Sequence, residues 1–92
     1  MVSRSVAANE SLLQFPCAFS IKAMGEVPGF ADLVVDLIEP YSPGIQSHQV
    51  STRSSRNGRY LSVTVKITAQ SREQMDAIYQ TLSDHPKVLM AL

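Results

Sequence analysis

Apolar and polar residues alternate from Phe15 onward. Phe15, Cys17, Phe19, Ile21 and Ala23 fall on one side, with Pro16, Ala18, Ser20, Lys22 and Met24 on the other. A period of two predicts a strand with one apolar face. Pro16 suits an early strand position, where a missing N–H costs least, and Gly25 is expected to end the strand. The period then changes. Phe30, Leu33, Val34, Leu37 and Ile38 recur at three and four, with Asp32, Asp36 and Glu39 on the opposite side. This spacing predicts an amphipathic helix from Pro28 to Glu39, with Pro28 in its first turn and Pro40 and Pro43-Gly44 stopping it.

From Ile45 to Thr52 the pattern is weaker, because only Ile45 and Val50 are apolar; it predicts a solvated edge strand. Ser54-Ser55-Arg56-Asn57-Gly58 follows. Asn-Gly between two extended runs marks a hairpin, since both residues tolerate positive φ. Arg59 to Ala69 is the most regular strand, with Leu61, Val63, Val65, Ile67 and Ala69 facing one way and Tyr60, Ser62, Thr64, Lys66 and Thr68 the other. Ser71-Arg72-Glu73-Gln74 reads as a capping box. It opens a helix whose stripe is Met75, Ile78, Tyr79 and Leu82, and His85-Pro86 ends it. Lys87 to Leu92 is a short, almost wholly apolar final strand. Residues 1–10 read as a flexible polar tail ahead of one domain over residues 11–92.

The order β-α-β-β-α-β has one compact solution, the ferredoxin-like split β-α-β: an α+β sandwich of a four-stranded antiparallel sheet with both helices on one face. The first and third strands belong in its centre. One sheet face then stays uncovered, lined by Ala18, Ser20 and Lys22 and by Tyr60, Ser62, Thr64, Lys66 and Thr68. The final strand, Val88 to Leu92, is an apolar edge that charges barely protect, and such an edge invites pairing into a homodimer.

Composition narrows the function classes. Eight basic residues balance eight acidic ones over 92 residues, so no global field draws the chain to nucleic acid or anionic membrane. Any electrostatic role must come from local clustering. A single cysteine, Cys17, excludes an intramolecular disulfide and a cysteine-based metal site within one chain; its apolar neighbours predict a buried, structural thiol. No segment is long and apolar enough for a signal h-region or a bilayer span, so a cytoplasmic location is expected.

Several runs carry a family resemblance: Leu13-Gln14-Phe15-Pro16, Ile21-Lys22-Ala23-Met24-Gly25, Gly58-Arg59-Tyr60-Leu61-Ser62-Val63-Thr64-Val65, Ser71-Arg72-Glu73-Gln74-Met75-Asp76-Ala77-Ile78-Tyr79 and His85-Pro86-Lys87-Val88. In this order, from Leu12 to Leu92, the chain resembles the YbeD-like bacterial proteins of unknown function. The resemblance implies a fold similar to the ACT domain, a ferredoxin-like regulatory module that often binds small molecules between copies. It also implies a connection with lipoate metabolism. ACT domains commonly place a glycine near the ligand in the turn after the first strand, a place that Gly25 holds here. No catalytic residue transfers, and no cofactor is implied.

An enzyme needs a nucleophile, a base and an electrophilic stabiliser brought together. His48 on the polar edge and His85 before a proline form no such set, and no phosphate loop or metal-ligand spacing occurs. The chain is therefore expected not to be an enzyme. The notable cluster is Arg53, Arg56 and Arg59 around the hairpin, since arginine forks suit carboxylates and phosphates. With Lys22, Lys66, Tyr60 and Gly25 they are the candidate contact residues of a regulatory or adaptor module. Its expected partner is a protein or a small carboxylate metabolite. The alternative is nucleic acid held by the arginine hairpin and open face, but Tyr60 is the only aromatic there, and RNA-binding sheets of this architecture stack bases on several. Nucleic acid and membrane are accordingly not the expected partners.

Overall fold

The opening alternation becomes β1 (Cys17–Glu26) in the computed structural model, which describes residues 14–92. The proposed tail over residues 1–10 and the first residues of the domain lie outside the described residues. The other elements are α1 (Phe30–Ile38), β2 (Val50–Ser54), β3 (Tyr60–Ala69), α2 (Arg72–Asp84) and β4 (Met90–Ala91). The sheet order is β2-β3-β1-β4 with every pair antiparallel. β1 and β3 pair from Cys17–Ala69 to Glu26–Tyr60, as the two regular strands should.

The inner face of the sheet contributes Ile21, Ala23, Val63, Val65 and Ile67 to the core. The helices answer with Phe30, Val34 and Ile38 from α1 and Ile78 and Leu82 from α2. Each helix offers one apolar stripe, so both must lie on the single apolar sheet face. This is the ferredoxin-like, ACT-like α+β sandwich, with the opposite face of the sheet bare.

Several boundaries differ from expectation. Gly25 does not end β1 but pairs with Leu61 inside it. A Cβ there would lie 2.3 Å from the Phe30 ring and 2.6 Å from the Lys87 carbonyl oxygen, so only glycine lets these elements close over the strand. Pro28 stands outside α1. The helix begins after Gly29, whose φ of 76° is left-handed and breaks the helical run; the peptide bonds before Pro16 and Pro28 are cis.

The expected strand over 45–52 is a loop and a single 3-10 turn, Ser47–Gln49, before β2 begins at Val50. Side-chain amides offer the backbone a local alternative to the ladder: Gln46 donates its N–H to Gln49 Oε1 at 2.8 Å, and Gln49 Nε2 donates to the Lys66 carbonyl at 2.8 Å. In the hairpin only Gly58 has positive φ, not Asn57. Residues 55–58 close as a four-residue turn through Gly58 N–H to the Ser55 carbonyl at 2.9 Å. Asn57 Oδ1 accepts from Ser55 Oγ and from Arg59 N–H, which fixes the turn without a left-handed asparagine.

Ser71 caps α2 by accepting the Gln74 N–H at 3.1 Å. The return bond of the capping box shifts by one residue, since Gln74 Oε1 accepts from Gln70 N–H. Gln74 Nε2 also donates to the Tyr41 carbonyl at 2.8 Å, tying α2 to the chain after α1. Glu39 is not on a solvated helix face like Asp32 and Asp36: it is half-buried, and its carboxylate accepts the N–H of Gly44 at 2.7 Å. Cys17 is half-buried rather than buried. The final strand shortens to Met90–Ala91, though Lys22 and Leu92 still exchange both main-chain bonds at 3.0 and 2.7 Å.

Candidate binding surface

Register decides which side chains share the bare face. The pairs Ser20–Lys66 and Lys22–Thr64 place Lys22 and Lys66 on adjacent central strands as diagonal neighbours, a separation of about 7–8 Å between main chains. Both side chains are exposed, so one anionic group can meet the two ammonium ends. The pair Arg53–Ser62 puts Arg53 on the same face, one strand further out. Lys22, Lys66 and Arg53 thus form one cationic field.

The other sequence candidates separate from it. Arg59 reaches across the end of the sheet to Glu26, with Nη2 3.3 Å from Oε2, and its guanidinium lies over the Tyr60 ring at 5.4 Å from the centroid. Arg59 is therefore partly neutralised, and one face of the only aromatic on this surface is already covered. Arg56 projects from the exposed turn. Gly25 points the opposite way, toward the core side, where Phe30 and Lys87 close on it.

Beside Gly25 lies a cleft of about 340 Å³ between the loop after β1 and the loop before β4, lined by Glu26, Val27, Pro28, Pro86, Lys87 and Leu89. His85 lines an adjoining depression with Phe30 and Leu33, and its Nδ1 accepts the Lys87 N–H at 3.1 Å. His48 is exposed on the 3-10 turn, far along the chain from any second catalytic group. Among the described residues no cluster of three or more His, Cys, Asp or Glu could hold a metal ion, and no helix is long and apolar enough to cross a membrane. Burial pushes the Tyr79 phenol above its ordinary value, but Tyr79 is on α2, away from both surfaces.

Two features of the bare face escape the sequence candidates. The first is an apolar strip. Met24 pairs with Met90, and Leu92 stands opposite Lys22, so three large apolar side chains sit together beside Lys22. Met90 and Leu92 are 50% and 67% exposed. Met24 breaks the polar row of β1 in the sequence, which was the available signal, but its neighbours depend on how β4 docks. The second is charge segregation. The sheet and hairpin carry Lys22, Arg53, Arg56, Arg59 and Lys66 against the single acid Glu26. The helical layer carries Asp32, Asp36, Glu39, Glu73, Asp76 and Asp84 against Arg72, with Lys87 in the loop after α2. Zero net charge hides a molecule with one basic side and one acidic side.

Comparison with known proteins concerns the family and the fold. The family model described as "Protein of unknown function (DUF493)" matches residues 10–92. The UPF0250 protein NE1487 of Nitrosomonas europaea is 48% identical over 84 residues, which cover 90% of this chain and 97% of that protein. A UPF0250 protein of Leptothrix cholodnii is 40% identical over 90 residues, covering 97% and 99%. The solution structure of protein HP0495 from H. pylori superposes with a TM-score of 0.71 at 18% identity, over 87% of this chain and 85% of that one; at that identity the likeness concerns the fold. None of these names is enzymatic. The YbeD-like resemblance drawn from the sequence is borne out.

Proposed function

This chain belongs to the family of proteins of unknown function DUF493, and from that premise we propose that it is a non-enzymatic, cytoplasmic adaptor whose bare sheet face engages an acidic partner protein. The observation that carries the reading is the charge segregation. A chain with no net charge has placed Lys22, Arg53 and Lys66 on one uncovered face, beside the acid Glu26, and most of its described acids in the helical layer. Complementary fields of this kind steer encounter and fix orientation more than they add raw affinity. The same field disfavours a second copy stacked face to face, since like charges would meet. The face gives nucleic-acid bases little to stack on, because Tyr60 is its one aromatic among the described residues and Arg59 lies over one side of that ring.

The cleft beside Gly25 supports a second reading. Its Lys87 ammonium and apolar walls suit a small carboxylate metabolite, with Glu26 also in the lining and held by Arg59. A homodimer through β4 is compatible with either reading, because edge pairing would leave both surfaces free.

Affinity capture tests the leading reading, comparing the wild-type chain with Lys22→Glu/Arg53→Glu/Lys66→Glu. The wild type is expected to enrich an acidic protein that the variant loses, and raising salt should weaken that capture because exposed charges are screened. Equal capture by both chains, unaffected by salt, would remove the face from consideration.

A further inference from the structure

We infer that the occupant of the bare face is an acidic amphipathic helix of the partner, an inference that rests on the preceding reading and specifies it. The face offers side chains rather than main chain. The main-chain groups of β1 and β3 point within the sheet toward neighbouring strands, so a strand laid on the face would find no donors or acceptors directed at it. A helix satisfies its own backbone and needs only a surface for its stripe. The other face of this same sheet is already covered in that manner by α1 and α2.

Width and chemistry agree with one helix. Arg53, Ser62, Met24 and Met90 form a row across all four strands, about 14 Å at the usual strand spacing, which compares with the 10–12 Å or so of a helix with its side chains. Met24, Met90 and Leu92 supply the apolar half of that width, and methionine adapts to the shape of what it meets. Arg53 on β2 and Lys66 on β3 supply the cationic side, and Lys22 stands on β1 beside the apolar residues. A helix with apolar residues at i, i+3 or i+4 and i+7, and acids along one flank, places each side over its complement. Glu26, the one acid of this face among the described residues, lies one same-face position beyond Met24 and is paired with Arg59.

Titrations of the ¹⁵N-labelled chain test this with two designed peptides of identical Leu, Ala and Glu composition. Each has about 18 residues, long enough to hold a helix; one is amphipathic, and in the other the order is scrambled to remove the stripe. The amphipathic peptide is expected to shift the amides of Lys22, Met24, Ser62, Met90 and Leu92. Met90→Ser should weaken it about tenfold, the loss of roughly one buried thioether side chain, with little change for the scrambled peptide. The variant's own spectrum confirms its fold. Equal binding of both peptides would overturn the helix while leaving the charged face intact. Binding of neither, or shifts confined to residues 26–30 and 85–89, would overturn both. Shifts at the same face produced only by phosphatidylglycerol vesicles would overturn the helix in favour of an anionic membrane.

Discussion

Replacing Gly25 with alanine is expected to destabilise the fold by about 2–3 kcal/mol, a fall of roughly 10–20 °C in melting temperature for a domain of this size. Two effects oppose each other at this position. Removing a glycine from a strand interior ordinarily stabilises by about 0.5–1 kcal/mol, through the entropy of the unfolded chain. The new methyl group, however, would lie 2.3 Å from the Phe30 ring and 2.6 Å from the Lys87 carbonyl. The first is the side chain of a core residue only 2% exposed, and the second is backbone, so neither can yield cheaply. The steric term is the larger one. Gly25 does not have a positive φ, so close approach alone requires it here. Thermal unfolding followed by circular dichroism reads the outcome, and an unchanged or raised midpoint would contradict it.

Phe30→Ala is expected to cost about 3–5 kcal/mol, a large share of the 5–15 kcal/mol or so that holds a typical domain together. Phe30 is the first residue of α1 and among the largest of the fully buried side chains. It joins the helix to the inner face of β1. Because its ring is what a Cβ at position 25 would strike, the two substitutions should not add. The double variant Gly25→Ala/Phe30→Ala should be more stable than the sum of the two losses by about 1 kcal/mol or more, within the range for residues in contact. Urea denaturation of the four chains closes the cycle, with Phe30→Leu as a milder arm if Phe30→Ala does not fold. Strict additivity would mean that the ring is not what excludes a side chain at position 25.

The parts of this molecule legible in the sequence are those set by local periodicity. The alternation of β1 and β3 names the buried row Ile21, Ala23, Val63, Val65 and Ile67 and, by default, the bare row of Lys22, Ser62, Thr64 and Lys66. The stripes of α1 and α2 follow in the same way. Side chains that compete with the backbone are harder to read. Gln46 and Gln49 turn an expected strand into a 3-10 turn, and Gly29 moves the start of α1 past Pro28. Long-range docking is harder still. Arg59 and Glu26 are 33 residues apart, so their ion pair reduces an apparent three-arginine cluster to two, Arg53 and Arg56, free of that partner. The apolar strip needs Met90 set against Met24, and no local pattern gives that register. Charge segregation lay within reach, because the acids fall mainly in segments of helical period and the bases mainly in segments of period two.

The central claim, that the bare sheet face is the contact surface, can be tested with the three lysines of this chain. Lys22 and Lys66 lie on the face, Lys87 lines the cleft, and all three are exposed in the free protein. Amine acetylation read by mass spectrometry, on the free chain and on the chain with its captured partner bound, reports each lysine separately. The account predicts that Lys22 and Lys66 become protected in the complex while Lys87 reacts as it does in the free chain. Protection of Lys87 with Lys22 and Lys66 unchanged would contradict it and assign the contact to the cleft beside Gly25.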